Sequence, residues 1–286
     1  MDFTISIIGL GMMGTSLAAA LQGFRGATLK GTDPNPKAVT FAQSRGLVDE
    51  GYGDTALAVE GADLVLLATY PETAIELMGQ IGSHMKSGSV LSDICGVKRP
   101  LHEAARSLPP AVSFVGGHPM AGRESWGHES YHKDLFRGAR YIITPGNAPQ
   151  SAVALICEMA AFLGCRVTRS TPELHDSMIA YTSQMAHVLA AAITDTPDFL
   201  NSVGFEGGSF RDLTRVAVLN DHMWPALFSA NADYLVQRLD TLIDNLSWFR
   251  DKILEQDRPA LAEKLLQSTA VKREYSRRQT CDPSGN

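Results

Sequence analysis

The segment Gly9-Leu10-Gly11-Met12-Met13-Gly14 constrains this chain more than any other. A short β-branched run, Thr4-Ile5-Ser6-Ile7-Ile8, precedes it. A stretch with helical spacing comes next, in which Leu17, Ala20, Leu21 and Phe24 share one face. Strand, glycine turn and helix in that order make the G-x-G-x-x-G arrangement of a dinucleotide cradle. Gly9 permits the tight turn, Gly11 lets the backbone approach a pyrophosphate, and Gly14 allows the helix to pack closely on the strand. Met12 and Met13 open the helix, whose N-terminal N–H groups present partial positive charge to an anion. A second strand, Thr28–Thr32, runs into Asp33, where an acidic side chain bonds ribose hydroxyls. A carboxylate there repels a 2′-phosphate, and no Arg or Lys follows it directly, so NAD is expected rather than NADP.

The remainder of the first half repeats this alternation. Asp63–Thr69, Ser89–Asp93, Val112–Val115, Tyr141–Thr144 and Arg166–Arg169 read as strands. Helices are expected from Pro36 to about Arg45, from Pro71 to about Met85, from near Lys98, and over Ser151–Leu163. Such alternation predicts an α/β fold with a Rossmann-type, doubly wound parallel sheet. The pattern changes at Thr171-Pro172. From there to about Ser276 the chain reads as helix, over Glu173–Ile193, Leu213–Val218, Trp224–Leu246, Leu246–Leu254 and Arg258–Val271, with a loop at Gly204–Gly208. The expected organisation is a nucleotide-binding domain over 1–170, an all-helical domain over 171–276, and a polar, disordered tail over 277–286.

Charge and cysteine content narrow the function classes. The net charge of −6 carries no basic excess, and Lys272, Arg273, Arg277 and Arg278 read as a solvated helix end, so nucleic acid is not an expected partner. No apolar run approaches the roughly 18–20 residues that span a bilayer, and no membrane partner is expected. The four cysteines lack metal-ligand spacing and disulfide density. No metal is expected, and the chain reads as a reduced, cytoplasmic protein.

A second glycine segment, Gly116-Gly117-His118-Pro119-Met120-Ala121-Gly122, comes after the Val112–Val115 strand. The proline holds His118 out of a helix, in an extended loop. Ligands of open α/β sheets bind beyond the carboxyl ends of the strands. An imidazole placed there titrates near neutrality and accepts a proton from an alcohol as hydride departs. Cradle and histidine together read as a dehydrogenase.

Four co-linear segments resemble the prephenate and arogenate dehydrogenases of tyrosine biosynthesis. They are Ser92-Asp93-Ile94-Cys95-Gly96-Val97-Lys98, the histidine segment 116–122, His175-Asp176 with Ser183-Gln184-Met185-Ala186-His187, and Gly207-Gly208-Ser209-Phe210-Arg211-Asp212-Leu213-Thr214-Arg215. The resemblance implies oxidative decarboxylation of prephenate to 4-hydroxyphenylpyruvate with NAD. It casts His118 as the acceptor of the hydroxyl proton and Arg215 as the anchor of a substrate carboxylate. His187 and Gln184 would line the substrate pocket, and Gly208 would leave room beside Arg215. Asp176 becomes a supporting group, while Arg123 and Glu124 stand at the entrance. It also implies a homodimer through the helical domain. Other readings of the same residues stay open: Arg215 could pair with Asp212, His187 could be a satisfied core histidine, and Arg123 with Glu124 could be a solvated loop pair. The chain departs from the family at Gly96, where the family has a serine; Ser92, Cys95 or a water are the candidates to orient His118 in its place. It departs again at Gln184, where the family often has histidine. Arogenate, with an amino-acid side chain, is the alternative substrate. A non-catalytic NAD-sensing regulator is the alternative from another class.

Overall fold

A computed structural model describes residues 3–123 and 125–280. The chain divides into two compact units, 1–232 and 233–286. In the first unit, eight strands form one sheet in the order β3-β2-β1-β4-β5-β6-β7-β8. The strands are β1 (Thr4–Ile8), β2 (Thr28–Thr32), β3 (Glu50–Tyr52), β4 (Leu64–Leu67), β5 (Val90–Asp93), β6 (Ser113–Pro119), β7 (Arg140–Thr144) and β8 (Arg166–Arg169). Between them run α1 (Met12–Ala20), α2 (Pro36–Ser44), α3 (Thr55–Val59), α4 (Pro71–Ile81), α5 (Arg99–Ala104) and α6 (Gln150–Phe162). All pairings are parallel except β6 with β7. β3 and α3 span only three and five residues, too short for hydrophobic periodicity to announce them.

Period-two alternation divides the core between the two faces of the sheet. Ile5, Ile7, Leu64 and Leu66 join one cluster, with Leu17 of α1, Val39 of α2 and Ile156 of α6. Ile8, Val65, Leu67 and Leu91 join the other, with Met78 of α4 and Leu101 of α5. Helices on both faces of a largely parallel sheet make it doubly wound. All strands from β1 to β6 therefore end at one edge, where β1 meets α1 and β5 meets α5.

β6 is longer than the sequence suggests and takes in Gly116, Gly117, His118 and Pro119. The two glycines serve close packing rather than a loop. A Cβ at Gly116 would lie 2.3 Å from Thr144 Oγ1, and one at Gly117 would lie 2.6 Å from Tyr141 Oη and 2.7 Å from Asp93 O. His118 pairs with Ile142 on the antiparallel β7, so it is a strand residue at the sheet edge and not a loop residue.

The long helix expected over Glu173–Ile193 is interrupted. α7 (Pro172–Ile179) passes into a π-helical turn at Ala180–Gln184 before α8 (Met185–Thr194). A π turn adds a residue and rotates the downstream helix by about 100° relative to an unbroken α-helix. Asp176 and His187 therefore do not share the face that α-helical spacing predicts, and they meet different neighbours. α9 (Asp198–Asn201), α10 (Gly208–Thr214), a 3₁₀ turn at Arg215–Ala217 and α11 (Met223–Ala230) complete the first unit. Leu227 of α11 is buried in the same cluster as Met78 and Leu101.

The second unit contains most of α12 (Ala232–Leu254) and all of α13 (Arg258–Thr280), joined through Gln256 at φ 56°. The Lys264 ammonium lies 5.5 Å from the centre of the Trp248 ring. α13 runs into the stretch 277–286, whose last six residues lie outside the described residues.

Candidate active site

The glycine turn has the shape of a cradle. Gly9 sits at φ +93°, and a Cβ there would lie 2.6 Å from Ala68 O. A Cβ at Gly14 would lie 1.8 Å from Gly9 O, so no larger residue fits under α1. At Gly11 a Cβ would meet nothing within 4 Å, which is open space above the backbone. Gly11 caps α1 without a side chain, and the first turn holds no acidic residue, so its N–H groups are not claimed by a cap. Met12 and Met13 turn into the core and leave the main chain to face a ligand. Asp33 accepts from Leu10 N at 2.8 Å with one carboxylate oxygen and from Asn35 N at 2.8 Å with the other. Each oxygen keeps a lone pair for a ribose hydroxyl. An open glycine, an uncapped helix start and a carboxylate at the end of β2 fit a dinucleotide.

The cradle continues without a break to His118. Ala68 and Thr69 abut Gly9, and the Cys95 thiol, 3.4 Å from Thr69 O, donates to that carbonyl. Burial, with Asp93 nearby, pushes this thiol well up, so Cys95 stays protonated. A Cβ at the adjacent Gly96 would lie 4.0 Å from His118 Cε1 and 3.1 Å from Leu227 Cδ2.

His118 is half-buried, and its Nδ1 lies 2.8 Å from His175 Nε2. His175 Nδ1 lies 2.7 Å from Asp176 Oδ1. Asp176 also accepts from Lys98 N at 2.7 Å, Arg99 N at 2.9 Å and Arg99 Nε at 3.3 Å. Burial, then the neighbouring His175 and Lys98, hold His118 well below the usual histidine range. Burial likewise lowers His175 against the opposing pull of Asp176. For Asp176, burial works upward, but the bonds from His175, Arg99 and Lys98 prevail and hold the carboxyl below its ordinary value. Beneath this chain lies a fully buried ion pair between Lys98 and Asp93, both 0% exposed. Asp93 also accepts from Cys95 N at 2.8 Å and Gly117 N at 3.1 Å, tying the ends of β5 and β6 together.

Ser92 does not orient His118. It is buried within β5 and donates to Val115 O at 2.6 Å, so its hydroxyl is part of the sheet. Gln184 does not line an open pocket either. It is 1% exposed, donates to Leu227 O at 3.1 Å and accepts from Asn231 Nδ2 at 2.8 Å. Asn231 in turn donates to Asp176 O at 2.9 Å and accepts from Arg99 at 3.1 Å. Gln184 thus holds α11 and the start of α8 in place behind the histidine chain. His187 donates from Nδ1 to Ser183 O at 2.8 Å and stacks on Trp224, with 3.9 Å between ring centres. One turn further along α11, Leu227 covers Gly96. Arg215 is exposed on the 3₁₀ turn, which packs along α8. Gly208 opens α10, and a Cβ there would meet nothing within 4 Å. Arg123 is exposed, and Glu124 lies outside the described residues. The contact of His118 with His175 is one that sequence reasoning missed. The adjacency of His175 to Asp176 was visible, but its reach to a residue 57 positions away was not. Among the described residues no cluster of His, Cys, Asp and Glu could hold a metal ion.

The matches to known proteins agree with this geometry. A family model for the prephenate dehydrogenase nucleotide-binding domain matches residues 17–169, and one for the prephenate dehydrogenase dimerization domain matches residues 171–267. A cyclohexadienyl dehydrogenase of Zymomonas mobilis is 30% identical over 276 residues, covering 92% of this chain and 93% of the relative. The crystal structure of prephenate dehydrogenase from A. aeolicus in complex with hydroxyphenyl propionate and NAD+ superimposes with a TM-score of 0.86 at 26% identity, over 96% of this chain and 99% of that one. Synechocystis arogenate dehydrogenase superimposes with a TM-score of 0.81, also at 26% identity, over 96% of this chain and 100% of its own. With family models matched over residues 17–169 and 171–267, most of its length, the chain belongs to the prephenate dehydrogenase family.

Proposed function

We propose that the chain catalyses the oxidative decarboxylation of prephenate to 4-hydroxyphenylpyruvate, with NAD as hydride acceptor. The observation that carries this reading is the His118 imidazole at the end of β6, bonded to His175 and linked to the Gly9–Gly14 cradle through Gly96, Cys95 and Thr69. The family membership and the NAD+-bound neighbour support it. Gly9, Gly11 and Gly14, with the main chain of Met12 and Met13, would hold the pyrophosphate, and Asp33 the ribose. Bound there, the nicotinamide supplies the two-electron sink for hydride from the hydroxyl-bearing carbon of the substrate. His118 accepts the hydroxyl proton at Nε2 as the carbon–oxygen double bond forms. That carbonyl draws the electron pair of the departing carboxylate through the ring, carbon dioxide leaves, and the ring becomes aromatic. The oxygen emerges as a phenolate and recovers its proton from His118, so the base is reset within one turnover. Arg215 is cast as the bidentate anchor of a substrate carboxylate, with Gly208 leaving space beside it. His187, fixed against Trp224, lines the pocket, and Arg123 borders the entrance.

Residues 171–276 are proposed as the substrate and dimerisation domain, in keeping with the family model matched there. Exposed Leu200, Val203 and Phe205 supply apolar surface for a second copy to cover. A cytoplasmic location is proposed, supported by the three described cysteines being free. No helix among the described residues is long and apolar enough to cross a membrane.

The test is formation of reduced nicotinamide with prephenate and arogenate supplied separately, each with NAD and NADP. Prephenate turnover with NAD is the expected result. Preference for arogenate would assign the alternative substrate, which the Synechocystis neighbour brings into consideration. Binding of NAD without turnover of either would point to a sensor and overturn the enzymatic reading.

A further inference from the structure

The serine that the family places at position 96 is absent, and the two nearby candidates to replace it are otherwise engaged. Ser92 is bonded to Val115 O, and the Cys95 thiol is directed at Thr69 O. On the Cε1 side of the His118 ring stand Gly96 and the Leu227 side chain that fills the space above it. That side is apolar. The partner that His118 does have is His175.

The far end of this chain dictates where its protons sit. A carboxylate only accepts, and Asp176 is held ionised by four donors. His175 Nδ1 therefore carries a proton. His175 is held neutral by burial, so its Nε2 is a bare lone pair. His118 Nδ1, 2.8 Å from that lone pair, must then be a donor. A neutral His118 with its proton on Nδ1 has its lone pair on Nε2.

We propose that His175, anchored by Asp176, is a positioning residue that locks His118 in the Nδ1–H tautomer and so leaves Nε2 as the proton acceptor, in place of the serine lost at Gly96. This rests on the dehydrogenase reading. The arrangement has the logic of an orienting acid behind a general base, with a second imidazole interposed. When His118 takes up the substrate proton, its Nδ1–H bond to His175 strengthens, and Asp176 opposes the new charge through His175. The other charged and titratable groups that bear on the ring are Lys98 and Asp93, paired with each other at the end of β5. Arg99 and His102 of α5 stand further out, bonded to Asp176 and Thr144.

The experiment is ¹⁵N spectroscopy of histidine-labelled full-length chain with NAD bound, assigned with His118→Asn, alongside steady-state kinetics of His175→Phe and His175→Gln. At neutral pH, His118 Nδ1 is expected to be protonated and Nε2 bare. In His175→Phe that preference is lost and kcat falls roughly 10- to 100-fold, while KM and NAD affinity change less than about twofold. In His175→Gln, whose side-chain carbonyl also accepts from Nδ1–H, tautomer and most of the rate return. A wild-type His118 protonated on Nε2 overturns the proposal, as does a folded His175→Phe with wild-type kcat. Should His175→Phe not fold, the wild-type spectrum and His175→Gln decide. A wild type that oxidises neither prephenate nor arogenate defeats the dehydrogenase reading, while its spectrum still tests the proton assignment.

Discussion

The two sides of the candidate site are built in opposite ways. Around His118 the polar groups are buried and bonded to one another, from the Lys98–Asp93 pair through Asp176 and His175 to the imidazole. Arg215 sits exposed on its 3₁₀ turn, in a stretch with much exposed apolar surface. Leu200, Val203, Leu213 and Phe205 are exposed, Phe205 by 89%, and Gly207 and Gly208 border empty space. A group that moves a proton needs one tautomer and a dry, fixed setting, because a wrong tautomer abolishes its function. A group that anchors a carboxylate needs reach and a permanent charge, and it works at a surface that a ligand or a second subunit then covers. Rigidity is concentrated around His118, and freedom around Arg215.

Substitutions on the two sides should therefore separate in kind. His118→Asn should lower kcat about 10²- to 10⁴-fold with little change in melting temperature, the scale of a lost general base; near-normal turnover would remove His118 from its role. Lys98→Met leaves Asp93 buried without its partner and should cost about 3–5 kcal/mol of stability, read from the denaturant midpoint. Arg215→Ala on the open side should do the reverse. Its unfolding free energy should stay within about 0.5 kcal/mol of wild type, while KM rises about 10- to 100-fold for a lost charged hydrogen bond. A large stability loss without a change in KM would instead favour a purely structural ion pair.

The pH dependence sharpens the same contrast. His118, His175 and His102 all have depressed values in the fold, from burial first. Their contribution to stability is fully present above the ordinary histidine value of about 6.5. It is lost as pH falls below it, because the unfolded chain takes up protons first. Melting temperature should decline from about pH 6.5 downward, and His118→Asn should make that slope shallower; an unchanged slope would place the titration elsewhere. The smallest effect is expected for Gly96→Ser. Leu227 must yield a few tenths of an ångström, at about 1 kcal/mol, and kcat should change little because His175 already orients the base.

Much of this was legible in the sequence for identifiable reasons. The cradle was readable because its parts are local: a strand, three glycines, a helix and Asp33 within one βαβ stretch. Thr28–Thr32 is found as a strand with those same ends. The placement of His118 was not, because Gly-Gly-His-Pro has the composition of a turn. Only the antiparallel partner β7, more than twenty positions later, turns it into a strand. Ser92 and Gln184 were expected to have parts at the site, but both are bonded within the fold, Ser92 in the sheet and Gln184 behind the histidine chain. A polar side chain in a recognised motif does not reveal which way it points. His175 shows the converse. Its chemistry depends on an imidazole that only the folded sheet brings near.

The π-helical turn at Ala180–Gln184 has one more consequence. It acts as a phase adjuster on a single shaft: α7 presents His175 and Asp176 to the sheet, and α8 presents His187 to Trp224, although regular winding would aim both segments alike. Point substitutions inside the turn leave that phase intact. Deleting one residue would let the shaft wind regularly and swing α8 through about 100° relative to α7. That would carry His187 away from Trp224 and the Gln184 amide away from Leu227, while the proton chain above it stayed in place. The length of this turn, more than the identity of its residues, keeps the two histidine stations in register.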